Sequence, residues 1–355
     1  MKIGVMADNH LGYAAYTKTL EDGTNVRYDD THKNFKQAMN IFRQNKIDKI
    51  INAGDLFDNP DPDNRSMLLA LEEFREMYAI VVEGNHTIPR KLWEISPSGV
   101  LSSSHSLRIP GKNKYTIESL GHALIHTLGW CSSPEVFAQN IAKVSVAGLP
   151  GPQILVIHGT VVGEGISKPN EMMVPKKMLS ELSTRFDFIF LGHWHNFTML
   201  EKNACYVSST VRQSFAEAGS KKLVLIYDTE AKEIEKHEIS DRPMAQIEIN
   251  FDSGKCIPNI KDWIEGQIGD EAPILKVRVF GVPMSRRSSF IDDYSKVCKD
   301  LERKCLHVSR EWVSESDSVE VKTGETGKLG SLEEEWESFC KDKEIQELGM
   351  QYIQA

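Results

Sequence analysis

The chain has 355 residues and a formal net charge of −9, with 40% hydrophobic and 26% charged residues. That places it among ordinary soluble globular proteins, long enough for one large domain and a smaller one, and no apolar run approaches the roughly 20 residues of a membrane span. The acidic balance argues against a broad, non-specific nucleic-acid surface, but not against nucleic acid as a substrate, because carboxylates that hold cations count as negative here.

The six cysteines, Cys131, Cys205, Cys256, Cys298, Cys305 and Cys340, show no paired spacing. Reduced thiols in a cytoplasmic setting are expected (host cytoplasm, were the chain viral). Residues 3–7 read as a first strand, begun so close to Met1 that no signal peptide is expected. The strand runs into Asp8-Asn9-His10, where an aspartate and a histidine two apart on an extended backbone can reach one cation. A polar loop over 11–25 leads to Arg27-Tyr28-Asp29-Asp30 and a helix to about Gln44. Asp29 or Asp30 is its expected N-cap, and Phe35, Met39 and Phe42 form its buried stripe.

Residues 50–53 read as a strand with apolar residues on both faces, which suits the middle of a covered sheet. Gly54 then allows a sharp turn, leaving Asp55 at the strand's carboxyl end, where open sheets bind ligands. After the stiff loop Asn59-Pro60-Asp61-Pro62, a helix is expected over 64–77 and a strand over 78–83. That strand ends in Gly84-Asn85-His86. Adjacent residues point apart, so Asn85 can bind metal while His86 faces a substrate. Residues 92–152 carry only weak strand candidates, at 123–125 and 144–146. A strong one at 153–157 ends in His158-Gly159. A helix over 176–182 and a strand over 186–191 follow, ending in Gly192-His193-Trp194-His195, a spacing suited to metal ligation. Segments 204–207, 222–227 and 233–236 read as closing strands.

Arg242-Pro243 marks a change of pattern. Beyond it the sequence predicts a small α+β unit, with strands over 247–251, 274–280 and about 306–313 and helices over 260–268 and 288–304. A Ser-, Gly-, Glu- and Thr-rich linker covers 316–331. Residues 332–355 form a last helical segment with Leu332, Trp336 and Phe339 on one face, a pattern that suits docking in a partner's groove.

Five strand ends thus deliver Asp8, His10, Asp55, Asn85, His158, His193 and His195. So many oxygen and nitrogen donors suggest two cations sharing one carboxylate, with Asp55 as the bridge. Such a pair can clamp a phosphate and lower the pKa of a bridging water. His86 is the candidate to protonate a leaving group. Asp58 and Asp187 are candidates for orienting ligand histidines, and Arg27 and Arg90 for contacting substrate phosphate.

The blocks Asp8-Asn9-His10, Gly54-Asp55-Leu56-Phe57-Asp58, Gly84-Asn85-His86, His158-Gly159 and Gly192-His193-Trp194-His195 resemble the calcineurin-like metallophosphoesterase superfamily. Within it the chain looks most like the SbcD-type DNA repair exonucleases, the meiotic-recombination-eleven branch. The resemblance implies an α/β two-sheet sandwich flanked by helices, a small α+β capping domain and a C-terminal helix. The expected layout is a phosphoesterase (nuclease) domain over 1–242, a DNA-positioning cap over 243–315, the linker, and the helix over 332–355. It also implies Asp8, His10, Asp55 and His195 around one metal and Asp55, Asn85, His158 and His193 around the other. Manganese is the preferred ion, with iron or zinc as alternatives, and His86 would act on the scissile phosphodiester. The implied activity is that of a DNA exonuclease and endonuclease in repair, recombination or replication. Its implied partners are DNA, an SbcC-type SMC-like ATPase bound through the last helix, and a second copy of the chain; no membrane is involved. One departure stands out: the family usually has aspartate after Gly-Asn-His, and this chain has Thr87. If that acid supports the histidine, rate or strand preference is expected to change while metal binding stays intact. The rival reading is a metallophosphoesterase for a small-molecule or non-nucleic ester, and an idle scaffold of the same fold is a third.

Overall fold

The computed structural model describes residues 1–89, 94–104, 106–146, 148, 150–163, 170–250, 271–281, 299 and 301–313. Residues 1–312 belong to one compact unit. The first part of the chain forms β1 (Lys2–Met6), α1 (Val26–Gln44), β2 (Lys49–Asn52), α2 (Asn64–Phe74), β3 (Tyr78–Val81), α3 (Pro97–Leu101) and β4 (Leu107–Arg108). Then come β5 (Thr116–Leu120), β6 (Ala123–Leu128), α4 (Pro134–Ile141), β7 (Gln153–His158), β8 (Thr160–Val162), β9 (Met173–Pro175), α5 (Lys176–Ser183) and β10 (Phe188–Gly192). The rest comprises β11 (Thr198–Glu201), β12 (Ala204–Tyr206), a 3-10 turn at Phe215–Glu217, β13 (Lys222–Asp228), β14 (Glu233–Ile239), β15 (Met244–Asn250), β16 (Ile274–Phe280) and β17 (His307–Val313).

Two six-stranded sheets result, in the orders β14-β13-β1-β2-β3-β4 and β11-β12-β10-β7-β6-β5. In the first, β1, β2, β3 and β4 run parallel, and β13 and β14 close one edge antiparallel. In the second, β12, β10, β7 and β6 are parallel and β11 and β5 close the edges antiparallel. Side chains alternate across each strand, which explains why the central strands are apolar throughout. Val5, Ile51 and Ile80 of the first sheet meet Ile154, Val156 and Phe190 of the second in a cluster between the sheets. Their neighbours Met6, Ile50 and Ala79 turn outward under Phe35, Met39 and Phe42 of α1 and Leu69 and Phe74 of α2. Leu155, Ile157, Ile189 and Leu191 turn outward under Phe137 of α4 and Leu179 and Leu182 of α5. The result is a helix–sheet–sheet–helix sandwich, in which each fully buried Leu, Ile or Phe contributes ~1.5–3 kcal/mol.

Several local readings change. The N-cap of α1 is Asn25, whose side-chain oxygen accepts from the backbone N–H of Arg27 and Tyr28. Asp29 lies inside the first turn, paired with Lys33, and Asp30 is buried against arginines. The helix after Asn64 ends at Phe74. Residues 144–146 form no strand: the Val144 N–H closes the turn after α4, and its side chain is buried among apolar neighbours. Between 94 and 128 the sequence hid α3, β4, β5 and the full length of β6.

After Arg242, β15, β16 and β17 form a separate three-stranded sheet, with β16 matching the expected 274–280. Helix 260–268 lies outside the described residues, as do the linker and the terminal segment with Trp336 and Phe339. Helix 288–304 is described chiefly at its end, where 301–304 are helical. Among the described residues no helix is long and apolar enough to cross a membrane.

Candidate metal centre

The parallel strands of both sheets place their carboxyl ends side by side, because β10 and β7 lie across the sandwich from β1, β2 and β3. Asp8 and His10 follow β1, Asp55 follows β2, and Asn85 and His86 follow β3. His158 ends β7, and His193 and His195 follow β10. Asp8, His10, Asp55 and His193 all have positive φ, at 49°, 48°, 49° and 91°. Non-glycine residues rarely adopt that conformation, and strain of this kind gathers at functional sites. Backbone bonds hold the turns in place, with the Asp8 N–H on Gly54 O at 2.9 Å and the His10 N–H on Asp55 O at 3.0 Å. The glycines before the ligands are required by space. A Cβ on Gly54 would lie 2.0 Å from Nδ1 of His158, and one on Gly84 would lie 2.0 Å from Oδ1 of Asp55.

All the expected ligands meet. Ligating atoms of Asp8, His10 and His195 lie within 4.8 Å of one another, as do those of Asp8, Asp55 and His158 and those of His10, Asp55 and His86. Asn85 Oδ1 lies 3.1 Å from His158 Nε2 and 3.0 Å from His193 Nδ1. Asp55 therefore reaches His10 on one side and His158 on the other.

Each ligand histidine turns one nitrogen into the centre and rests the other on an acceptor. His158 donates Nδ1–H to the Ala53 carbonyl at 2.8 Å. His10 donates to Asp58 Oδ1 at 3.1 Å, and His195 to Glu217 Oε1 at 3.2 Å. His193 is held the other way round, with Nε2 on Glu171 Oε2 at 3.2 Å. An acceptor behind a histidine fixes the tautomer that leaves the facing nitrogen as a lone pair. The Nε2 atoms of His10 and His195 then face each other at 3.2 Å. Two lone pairs at that distance repel unless a proton or a metal cation lies between them, and the gap is open to either. The donor set, its carboxylates and the glycine cradle fit a pair of divalent cations.

The electrostatics agree. Burial would raise the Asp55 carboxyl, but the charge and hydrogen bond of His158 outweigh it and keep it well below the usual range. Burial opposes charge on His158 too, and Asp55 and then Asp8 overcome it, pushing the imidazole up to about 9. The buried carboxylates thus attract positive charge strongly.

His86 lies beside the ligands. Its side chain is 38% exposed, its ring packs edge-on to His10 at 4.6 Å, and its Nδ1–H is held by the Asp58 carbonyl at 2.8 Å. That leaves Nε2 free. Thr87 points elsewhere: its hydroxyl donates to Glu83 Oε2 at 2.8 Å inside the fold.

Asp58 contacts both His10 and His86, but Asp187 does not reach the centre. It precedes β10, a strand of about 17 Å at the usual rise per residue, and so sits at the end away from His193. There it accepts from the Gln153 N–H and pairs with Lys232. Arg27 is not free for substrate either. It is 1% exposed, bonded to Asp30 and to the Arg212 carbonyl. Arg90 lies outside the described residues. The reading missed Glu171 and Glu217. Glu217 left a trace in Ser214-x-x-Glu217, the capping-box spacing that the 3-10 turn uses.

The sequence matches the calcineurin-like phosphoesterase superfamily domain over residues 1–232. Among curated proteins it is similar to the DNA double-strand break repair protein Mre11 of Methanococcus maripaludis, 31% identical over 200 residues, 54% of this chain and 50% of that one. The protein of the same name from Sulfurisphaera tokodaii is 26% identical over 202 residues, 54% of this chain and 48% of the other. That of Methanocaldococcus jannaschii is 34% identical over 101 residues, 27% and 26% of the two chains. The chain spans about half the length of these relatives, or less.

Proposed function

Since the chain belongs to the calcineurin-like phosphoesterase superfamily, we propose that it is a two-cation phosphodiesterase that cuts DNA in double-strand break repair or a related process. The observation that carries this reading is the convergence of seven ligand residues from two sheets, each ligand histidine braced from behind. Asp8, His10, Asp55 and His195 would hold one ion and Asp55, Asn85, His158 and His193 the other, with manganese preferred. Bound, the pair would polarise the phosphate and lower the pKa of the attacking water.

The rest falls to the chain. Asp55 stays charged and fixes the spacing of the two positions, steadied by the His86 N–H on its Oδ1 at 2.9 Å. His86 Nε2, on a side chain that is 38% exposed, hands a proton to the departing oxygen, while Asp58 holds Nδ1. His86 is also close enough to His10 and Asp55 to touch an ion, but its exposure favours the role of proton donor. Trp194, 54% exposed between two ligand histidines, offers a face for an unstacked base. That favours a nucleic acid over a small ester.

An SbcC-type ATPase, engaged by the segment 332–355, and a second copy of the chain are the protein partners in this reading. The three-stranded sheet after Arg242 would help position DNA. The test is end-labelled single- and double-stranded DNA, alongside a generic phosphodiester, with and without manganese. Manganese-dependent shortening of DNA, lost in Asp55→Ala, is expected. Ester hydrolysis with DNA left whole would move the substrate to the small-molecule class.

A further inference from the structure

The two metal positions differ in what stands behind them. The position of Asp55, Asn85, His158 and His193 is backed by the Ala53 carbonyl after β2 and by Glu171 in the loop before β9. His195 is backed by Glu217, a buried carboxylate on the 3-10 turn Phe215–Glu217. Glu217 Oε1 takes His195 Nδ1 at 3.2 Å and the backbone N–H groups of Gln213 and Ser214 at 3.2 and 3.1 Å. Its other oxygen pairs with Lys222, which is fully buried at the start of β13 and also donates to the His195 carbonyl at 3.0 Å.

The outer side of the same turn faces the three-stranded sheet. Phe215 and Ala218 pack on Met244, Ile274 and Leu306. An open cavity of about 810 Å³, lined by Phe215, Ala216, Ala218 and Met244 among others, adjoins the turn. The loop that follows His10 carries Tyr16, which stacks on His307 of β17 at 4.1 Å and joins the same apolar cluster. His195 thus connects to the third sheet through Glu217 and its turn, and the loop that follows His10 meets the same sheet at Tyr16; among the described residues His158 and His193 have no such chain.

We propose that Glu217 is a positioning residue for His195, and that through its turn the Asp8–His10–His195 position, unlike its neighbour, depends on the three-stranded sheet. The inference rests on the two-cation reading above and extends it. A shift of that sheet moves Phe215, the turn carries Glu217 with it, and His195 loses the brace that aims its Nε2. A substrate that displaces the sheet would therefore change one ion's affinity and leave the other's alone.

Calorimetric titration of the full-length protein with manganese tests this. The wild type is expected to take up two ions. Glu217→Gln should weaken one of them by about 10–100-fold, the range for losing an outer-shell partner, and leave the other unchanged. Phe215→Ala, which touches no ligand, should weaken the same ion to a smaller degree. The ion that stays tight reports that the variant has folded. Two wild-type affinities in Glu217→Gln would overturn the inference and leave the two-cation reading standing. Equal weakening of both ions in Phe215→Ala would overturn the selectivity. A wild type that binds a single ion would overturn both readings.

Discussion

Asp58 serves two histidines at once, taking the His10 Nδ1–H on its side chain and the His86 Nδ1–H on its backbone carbonyl. The two roles predict different losses. His86→Asn should lower turnover by about 10²–10⁴-fold, the usual contribution of a positioned proton donor, with manganese still bound. Asp58→Asn disturbs the brace behind His10 and should cost about 10–100-fold in metal affinity or rate. Equal metal loss in both variants would contradict the division of labour. The same geometry answers the question raised by Thr87. Its hydroxyl serves Glu83, whose carboxyl is raised by burial, so position 87 faces inward and not toward His86. Thr87→Asp should crowd a second carboxyl into that pocket and cost ~1–3 kcal/mol in urea unfolding, with no gain in nuclease rate. A faster enzyme would refute this. The seven candidate ligands were legible because each stands where an apolar run breaks, mostly beside a glycine. Glu171 and Glu217 stand at no strand end, and only the fold brings them behind a histidine.

Strands such as β7 and β10 were legible for the same reason that they are central: both faces are buried, so the apolar run is unbroken. The stretch after 94 was not. There β4 has two residues and β5 alternates at an edge. The helices α3 and α4 are too short for a periodic stripe, although Ser96-Pro97 and Ser133-Pro134 supply a cap and a first-turn proline for each. Between α1 and α2, His32 is bonded to Ser66 at 3.0 Å, and burial holds its imidazole down at about 4 against an ordinary 6.5. The unfolded chain takes up that proton near pH 6.5, while the folded one resists until about 4. Stability from this site is therefore level above pH 6.5 and falls as pH drops toward 4. His32→Gln should flatten part of that acid limb in a series of melting curves. An unchanged slope would show that His32 is not buried in its neutral form.

The two-sheet sandwich and the third sheet share a buried charge. Asp30 of α1 accepts from Arg242 at 2.7 and 2.8 Å and also pairs with Arg27, and Arg242 in turn donates to the Ala272 carbonyl at 2.8 Å. Arg27, expected from sequence to meet phosphate, is instead held inside the fold by the same aspartate. Asp30→Ala leaves two guanidinium groups buried without their anion and should cost about 3–5 kcal/mol in denaturant unfolding. A cost under about 1 kcal/mol would mean that the pair is exposed to water in solution. The excess of acid that argued against a nucleic-acid surface lies partly in the candidate metal centre, where Asp8, Asp55, Asp58, Glu171 and Glu217 gather. This cluster is proposed to hold two ions. The most direct test is anomalous diffraction from crystals soaked in manganese. Two peaks about 3.5–4 Å apart are expected, with Asp55 touching both, His10 and His195 on one, His158 and His193 on the other, and His86 on neither. A single peak, or His86 as a ligand, would contradict the account.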